Sequence, residues 1–467
     1  MSMSDQRPTS AAEALPMTDI LPLVLRCLSK DLASLCACAL VDRSSTKAAS
    51  AVLYRNIVFS PPWTATLDLN EAQKYSRPGT ILHSAALPHY AAYVKTVEIG
   101  GSISMRRTPI NPLAKCLIAA IPAWTNLVTI TIIPAQAPEG LFVEPLRLLQ
   151  SLPELRILKV NSTCTDAISA PVLSQIVGLR SLTVIDPNRA MLDLLPNWLS
   201  RLSGTLRQMH LLENCGSITP GVLQTIQPLA AQLQSFSLGL SYSLEDGHVL
   251  QFLTRLPRLQ NLQLRYYWQM KQPPTAPQIT TLRKFVVNHT HIDFLSHVHH
   301  LSRWVRRIAF RSHLEHLELV MDNFEYFRGP YLNYGGLVEH TSYKHGGSLR
   351  VLRLTHGYID STTTALFCQQ CPNLEEISLG VSMSTLREFP QKAAPLSKLR
   401  RAAFRICNMK SSQVQKDFTD EAAADFFETL KCADLRHLAV NCMTWEGKWT
   451  ANERNEVKFI VRRQPLS

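Results

Sequence analysis

The sequence predicts an α/β solenoid, in which parallel strands form a sheet and helices lie along its outer side. A six-residue phrase with apolar first, fourth and sixth positions recurs from Leu155 (LRILKV) to Leu435 (LRHLAV). Eleven clear copies begin 23 to 36 residues apart, and two looser ones, VKTVEI and LVTITI, precede them. Helical patterns fill most intervals between copies. One strand and one helix cannot bury their apolar surfaces alone, so the units must stack.

This pattern resembles the leucine-rich repeat family in its longer strand–helix form, over about residues 94–440. The resemblance implies a leucine-rich-repeat horseshoe over residues 93–467, with the parallel sheet on the concave face and the helices outside. An ordinary α/β fold with leucine-rich strands is the alternative interpretation.

Alternate residues of a strand point to opposite faces of the sheet, so the residues between the apolar positions should line the concave face. The strongest charges and hydrogen-bonding groups of these positions fall between about 261 and 376, and aromatic residues follow the strand at 261. We expect a protein target to bind there. The candidate substrate-binding residues are Gln263, Arg265, Tyr267, Trp268, Lys284, His316, Glu318 and Arg353.

The N-terminal region is predicted to be a disordered tail over 1–14 followed by three short helices over 15–60. The first helix contains ILPLVLRCL, with Thr18 or Asp19 as its N-cap and Pro22 in its first turn. The second contains LASLCACAL, and the third, STKAASAVLY, precedes the strand-like NIVF. Three short helices make a small core, so they need a partner or the repeats behind them. Residues 61–92 are predicted to be a helical connector.

The segment from Leu15-Pro16 to Leu53-Tyr54-Arg55 resembles an F-box, in the form common among fungal F-box proteins. It departs from the family pattern at Asp19, where glutamate is common, and at Ser45, where a tryptophan is usual. The resemblance implies binding to a Skp-type adaptor of an SCF-type cullin–RING ubiquitin ligase. The candidate adaptor-binding residues are Leu15, Pro16, Ile20, Leu21, Val24, Leu25, Leu28, Leu35, Leu40 and Val41. The alternative is a helical cap for the solenoid.

Composition narrows the function classes. The net charge is +12 and the pI is near 9.2, but the cations are dispersed. Their densest group is Arg303, Arg306, Arg307 and Arg311. Because no Lys/Arg run is interleaved with aromatic residues, nucleic acid is an unlikely partner on this pattern, and an acidic or phosphorylated protein is favoured. The eleven scattered cysteines fit a reduced compartment, the cytoplasm or the nucleus. No signal peptide and no membrane-spanning run is evident.

Two long repeat intervals and one cysteine pair carry further hypotheses. Cys368 and Cys371 have metal-ligand spacing but no second pair, so core packing is favoured over zinc. The histidines between 289 and 300 fit an amphipathic helix better than a metal site. The aromatic-rich interval at 320–347, with Arg328 and Lys344, is interpreted as an insertion on a binding rim or as a packed, inert one.

No motif of a hydrolase, a nucleotide-binding protein or a metalloprotease occurs, so we expect no catalytic residue, cofactor or metal. The sequence therefore predicts a substrate-recruiting adaptor: the F-box binds the Skp-type adaptor and the repeat face holds a protein target. The alternative is a leucine-rich-repeat scaffold without a ligase link. A regulator of small GTPases on a similar horseshoe is disfavoured by the F-box-like start.

Overall fold

The computed structural model describes residues 17–29, 31–61, 78–103, 112–267, 279–290, 292, 294–322, 332–407, 409–430, 432, 434–451 and 457–464. The predicted tail over 1–14 lies outside these residues, as do Leu15, Pro16, Trp268, His291 and Arg328. The chain forms two compact units, Met1–Val184 and Ile185–Ser467.

The first unit begins with three helices, which we call the helical box: α1 (Met17–Arg26), α2 (Leu32–Ala39) and α3 (Arg43–Leu53). Helix α1 includes Thr18 and Asp19 and holds Pro22 in its interior, so the predicted N-cap and first-turn positions are corrected. Proline in that place lacks the N–H that would continue the helical hydrogen-bond ladder. Two further helices, α4 (Pro78–Ala86) and α5 (Pro88–Ala91), occupy the described part of the predicted connector.

A ladder of parallel strands completes the first unit. The strands are β1 (Asn56–Phe59), β2 (Thr96–Ile99), β3 (Thr129–Ile132), β4 (Ile157–Val160) and β5 (Ser181–Ile185), paired in that order. Helices α6 (Pro112–Ala120), α7 (Val143–Leu149) and α8 (Ala170–Leu173) separate the later strands. The ladder therefore begins at Asn56, although the sequence analysis places residues 56–60 with the N-terminal helices.

The second unit continues the strand–helix alternation. Its parallel strands are β6 (Gln208–Asn214), β7 (Ser235–Leu240), β8 (Asn261–Tyr266), β9 (Lys284–His289), β10 (His316–Met321), β11 (Leu332–Asn333), β12 (Val351–Tyr358), β13 (Glu376–Val381), β14 (Arg401–Ile406) and β15 (His437–Val440). Its helices are α9 (Arg189–Leu202), α10 (Pro220–Ile226), α11 (Asp246–Thr254), α12 (Leu295–Ile308), α13 (Gly335–His345), α14 (Ser361–Gln370), α15 (Met383–Lys392), α16 (Ser411–Asp417) and α17 (Asp420–Leu430).

Each copy of the phrase places its fourth and sixth residues on the buried face of a strand. In β10 the buried Leu317 and Leu319 pair in register with Leu352 and Leu354 of β12. Successive helices pack on one another along the other side of this core. The predicted parallel, strand–helix architecture is thus confirmed within each unit. The curvature implied by the word horseshoe stays a prediction.

The arginine at the second position of many phrases has a structural role. Arg207 donates from its guanidinium to the carbonyls of Gly204 (3.1 Å) and Leu206 (2.9 Å) in the turn before β6. Arg156 does the same for Pro153 (2.8 Å) and Leu155 (3.2 Å). These donors satisfy turn carbonyls that the helix and strand leave unpaired. Part of the dispersed positive charge therefore stabilises turns.

Two features of the second unit differ from a uniform array. The described part of the aromatic-rich interval is mainly the short strand β11 and the helix α13, so its second half is a repeat helix and not a rim insertion. At the C-terminus, β15 pairs with β16 (Met443–Ala451) and β16 with β17 (Val457–Arg463), both antiparallel. The parallel array therefore ends in a hairpin that the leucine phrase does not encode.

Candidate functional site

The helical box has a core of short side chains. Leu25 of α1, Leu35 of α2 and the α3 residues Ala48, Ala49 and Val52 are buried together. Two alanines and a valine on α3 let α1 and α2 approach closely, but they bury little apolar area. A core of this size leaves much of the apolar surface of α1 and α2 uncovered.

The uncovered apolar side chains of the box form the first candidate surface, which we call the box patch. Its most exposed members are Leu40, at 87% of its maximal accessible area, and Val41, at 73%, in the turn between α2 and α3. The box patch comprises Ile20, Leu23, Val24, Leu32, Leu40 and Val41. Exposed apolar groups of this density are typical of protein interaction sites.

The box patch differs in part from the predicted adaptor-binding set. Leu25 and Leu35 are buried in the box core, and Leu21 and Leu28 are half-buried against it, so the assignment of Leu25 and Leu35 to a partner surface is corrected. The sequence analysis missed Leu23 and Leu32. Because Leu21 and Leu25 share one stripe of α1, the helical period itself indicates that Leu23 lies off that stripe.

Two aspartates cap the second and third helices of the box and so fix the connections between its helices. Asp31 caps α2 by accepting from the Ser34 amide (3.0 Å) and hydroxyl (2.6 Å), and these bonds lower the pKa of the Asp31 carboxyl. Asp42 caps α3 in the same way through Ser45, whose amide lies 2.8 Å from the carboxylate; this lowers the pKa of Asp42. Ser45, the departure from the F-box pattern, thus belongs to a helix cap that fixes the turn carrying Leu40 and Val41.

The second candidate surface is the face of the second unit's sheet that turns away from the helices, which we call the open face. Strand pairing aligns its residues in two columns. One column is His210, Ser237, Gln263, Val286, Glu318, Arg353, Ser378, Ala403 and Ala439. The other is Gln208, Ser235, Asn261, Lys284, His316, Val351, Glu376, Arg401 and His437. The structure therefore places five predicted substrate-binding residues, Gln263, Lys284, His316, Glu318 and Arg353, on one surface.

A chain of neutral hydrogen bonds crosses the early strands of the open face. His210 Nδ1 lies 2.7 Å from the Ser237 hydroxyl, which donates to Gln263 Oε1 (3.4 Å). The Gln263 amide then donates to Asn288 Oδ1 (3.4 Å). Burial lowers the pKa of His210, which favours its neutral form. These four side chains form an uncharged hydrogen-bonding chain, and the exposed Lys284 lies on the same face.

A compact charge network occupies the middle strands. Glu318 accepts from His316 (3.0 Å) and from Arg353 (3.4 Å), and Arg353 also reaches Glu376 at 2.8 Å. The hydrogen bond from His316 and then the Arg353 charge lower the pKa of Glu318, while the bond to Glu376 raises the pKa of Arg353. His316, Glu318 and Arg353 therefore satisfy one another, and the exposed Lys284, Arg401 and His437 remain as the more accessible polar groups around them.

The remaining predicted residues are less available than expected. Arg265 forms an ion pair with Asp322, and both side chains are largely buried. The Tyr267 ring is buried, and its hydroxyl lies within hydrogen-bond distance of two carbonyl acceptors, those of Ser241 (2.9 Å) and Leu244 (2.5 Å). Burial of that ring raises the pKa of Tyr267. Its assignment as a surface anchor is corrected, because the exposed aromatic ring at this place is Tyr242, which packs edge-on against Tyr267.

Cys368 and Cys371 and the histidines between 289 and 300 are the potential metal ligands of the sequence. Cys368 and Cys371 are buried, and burial raises the pKa of the Cys371 thiol to about 11. Within the described ranges no group of three or more histidine, cysteine or acidic side chains is placed to hold a metal ion. Over the same ranges, no helix is both long and apolar enough to cross a membrane.

Comparison with known proteins gives little beyond this geometry. No protein-family model and no curated protein matches the chain. Among solved structures, it is similar to the TLR13–ssRNA13 complex at 16% identity, over 68% of this chain and 44% of that one, with a TM-score of 0.36. It is also similar to the Rad7 and Elc1 complex in yeast at 14% identity, over 84% and 93%, with a TM-score of 0.36. The chain thus spans less than half the length of the TLR13 chain it matches, and similarities at this level assign neither partners nor function.

Proposed function

We propose that the chain is a substrate-recruiting adaptor of an SCF-type cullin–RING ubiquitin ligase. The helical box acts as an F-box that docks on a Skp-type adaptor, and the open face holds a protein target. The observation that carries the proposal is the box patch: a three-helix domain with a small core that leaves Leu40, Val41 and their neighbours in solvent. Covering such a surface with an apolar partner stabilises both sides.

The proposed mechanism is proximity. A target held on the open face near a ligase-bound ubiquitin carrier has its lysines at high effective concentration, so no side chain of this chain needs to react. The hydrogen-bonding chain from His210 to Asn288 and the exposed Lys284 and Arg401 suit a polar protein surface. The proposed partners are the Skp-type adaptor with its cullin–RING ligase and a protein target, in the cytoplasm or the nucleus.

The test is retention of a recombinant Skp-type adaptor by the full chain. We expect the wild type to retain it and Leu40→Asp/Val41→Asp to bind it at least about tenfold more weakly, because two carboxylates would be buried at the contact. Both residues are exposed, so the fold should survive. The matched control is Ile168→Asp/Val177→Asp, two exposed apolar residues of the same unit outside the box.

Retention by the wild type that the box variant loses and the control keeps would support the proposal. Absence of retention by the wild type would favour the scaffold alternative, in which the box is only a cap. Equal loss in both double variants would point to non-specific adhesion and would also count against the F-box assignment.

A further inference from the structure

The helices α12 and α13 carry a basic surface that the proposed function does not use. Residues 294–314 contain four arginines and no aspartate or glutamate. Arg303, Arg306, Arg307 and Phe310 follow the spacing of one helical stripe, while the opposite stripe of α12, including Trp304 and Ile308, is buried. Within this stripe Arg303 and Phe310 are exposed, whereas Arg306 and Arg307 are half-buried.

Helix α13 packs against α12 and extends this surface. Lys344 places its Nζ 5.2 Å from the centre of the Phe310 ring, and the neighbouring Tyr343 is 82% exposed. The charges of Arg306 and Lys344 both act on His340, and burial of that ring with these two cations lowers its pKa. The two helices thus bring their cations close enough to raise the local positive potential.

Few carboxylates offset these cations. In the described part of the chain, Arg303, Arg306, Arg311 and Lys344 have no acidic side chain within 4.0 Å. Of the nearby acids, Glu315 is paired with Arg283 at 3.2 Å and Glu339 accepts from Thr363 at 3.3 Å. Arg303, Arg306, Arg311 and Lys344, which no described acidic side chain pairs with, are complementary to an anionic partner.

We propose that this surface, formed by Arg303, Arg306, Phe310, Arg311, Tyr343 and Lys344, binds an acidic protein segment that also carries apolar side chains. The exposed Phe310 and Tyr343 rings give the apolar side chains a place to pack, and the cations pair with aspartates or glutamates. Polynucleotide binding usually rests on many phosphate contacts. This surface offers few cations and is bordered by Glu315 and Glu339, so the acidic protein segment is the better match.

The test uses the full chain and two fluorescein-labelled probes. One is a twelve-residue peptide alternating Asp or Glu with Phe or Leu; the other is a twelve-nucleotide single-stranded DNA. We expect Arg303→Glu/Arg311→Glu to weaken peptide binding at least about tenfold and Phe310→Ala to weaken it about threefold. The matched control is Arg255→Glu/Arg258→Glu, which makes the same charge change at two exposed arginines of the same unit.

The proposal would be supported if Arg303→Glu/Arg311→Glu and Phe310→Ala both weakened peptide binding and the control variant bound the peptide as tightly as the wild type. Equal weakening in both charge-reversal variants would overturn it, because the peptide would then be sensing only the net charge. Tighter binding of the DNA than of the peptide, lost in Arg303→Glu/Arg311→Glu, would also overturn it in favour of nucleic acid. The proposal would also be overturned if the wild type did not bind the peptide. The assay contains no Skp-type adaptor, so its outcome is independent of the F-box proposal.

Discussion

The helical box and the repeats of the second unit bury their side chains in opposite ways. The box buries Leu25, Leu35 and three small α3 residues and leaves the six aliphatic side chains of the box patch in solvent. The repeats bury the apolar residues of their phrases almost completely, together with some polar groups such as Asp246 and His345, and expose a polar face. Under the proposed function a partner would cover the apolar surface of the box, whereas the repeats supply their own neighbours.

The same contrast sets the pH at which each region should lose stability. Hydrogen bonds lower the pKa of Asp31 and Asp42 from an ordinary 3.8, so their contribution to the box is present above 3.8 and is lost only as the pH falls through the lower folded value. In the repeats, burial and nearby cations lower the pKa of His345 to about 4 from 6.5. The repeats should therefore weaken at a milder pH than the box.

The largest expected effect is on the box itself. Leu35→Ala should destabilise the box by about 3 kcal/mol, because it removes a wholly buried side chain from a small core. Hydrogen exchange read by mass spectrometry should show faster exchange in α1–α3 and unchanged exchange in β6–β15. The control, Leu317→Ala in β10, should speed exchange in β6–β15 and leave exchange in α1–α3 unchanged. Equal loss of protection in both regions would mean that they unfold together and that the contrast does not hold.

A pH titration sharpens the comparison within the repeats. Protonation of the buried His345 opposes folding, so stability is complete above about pH 6.5 and is lost as the pH falls toward 4. We expect the unfolding free energy to be about 2 kcal/mol lower at pH 5 than at pH 7. Urea unfolding followed by circular dichroism measures it. His345→Asn should flatten the dependence, whereas the exposed His299→Asn should not; a wild type indifferent to pH in this range would contradict the assignment.

The smallest expected effect comes from the buried carboxyl of Asp246. Its Oδ1 accepts from the Trp304 indole (2.7 Å), and its Oδ2 is buried with no hydrogen-bond partner in the described residues. Burial raises the pKa of Asp246 to about 6, so the ionised form costs stability as the pH rises from 3.8 through 6. Asp246→Asn should add about 1 kcal/mol at pH 8 and little at pH 4, measured as above. A loss of stability at pH 8 would show that the charge itself is needed.

The leucine phrase made the strands predictable because its period dictates which residues are buried. The two looser copies became β2 and β3, and the eleven clear copies became β4 to β10 and β12 to β15. The phrase does not predict β1 or the C-terminal hairpin. These segments join the sheet through strand pairing and have no leucine pattern of their own.

The candidate sites were less predictable. The sequence indicated which residues of α1 and α2 are apolar, but only the contact with α3 decides that Leu35 is buried and Leu32 is exposed. Likewise, Glu318 and Arg353 are far apart in sequence, and strand pairing alone brings their charges together. Choosing polar residues from the sequence therefore located the open face, but it did not show which of its charged groups are already paired with one another.

The exposed arginines of β17 have a consequence for the edge of the sheet. A stack of parallel strands ends in a row of amide and carbonyl groups that could template another chain. Here the last described strand runs antiparallel to its neighbour and carries the exposed Arg462 and Arg463 near its end. A strand of a second molecule that paired with β17 would have to lie beside these two cations, and charged side chains on an edge strand oppose such pairing. Arg462 and Arg463 therefore disfavour edge-to-edge association at this strand.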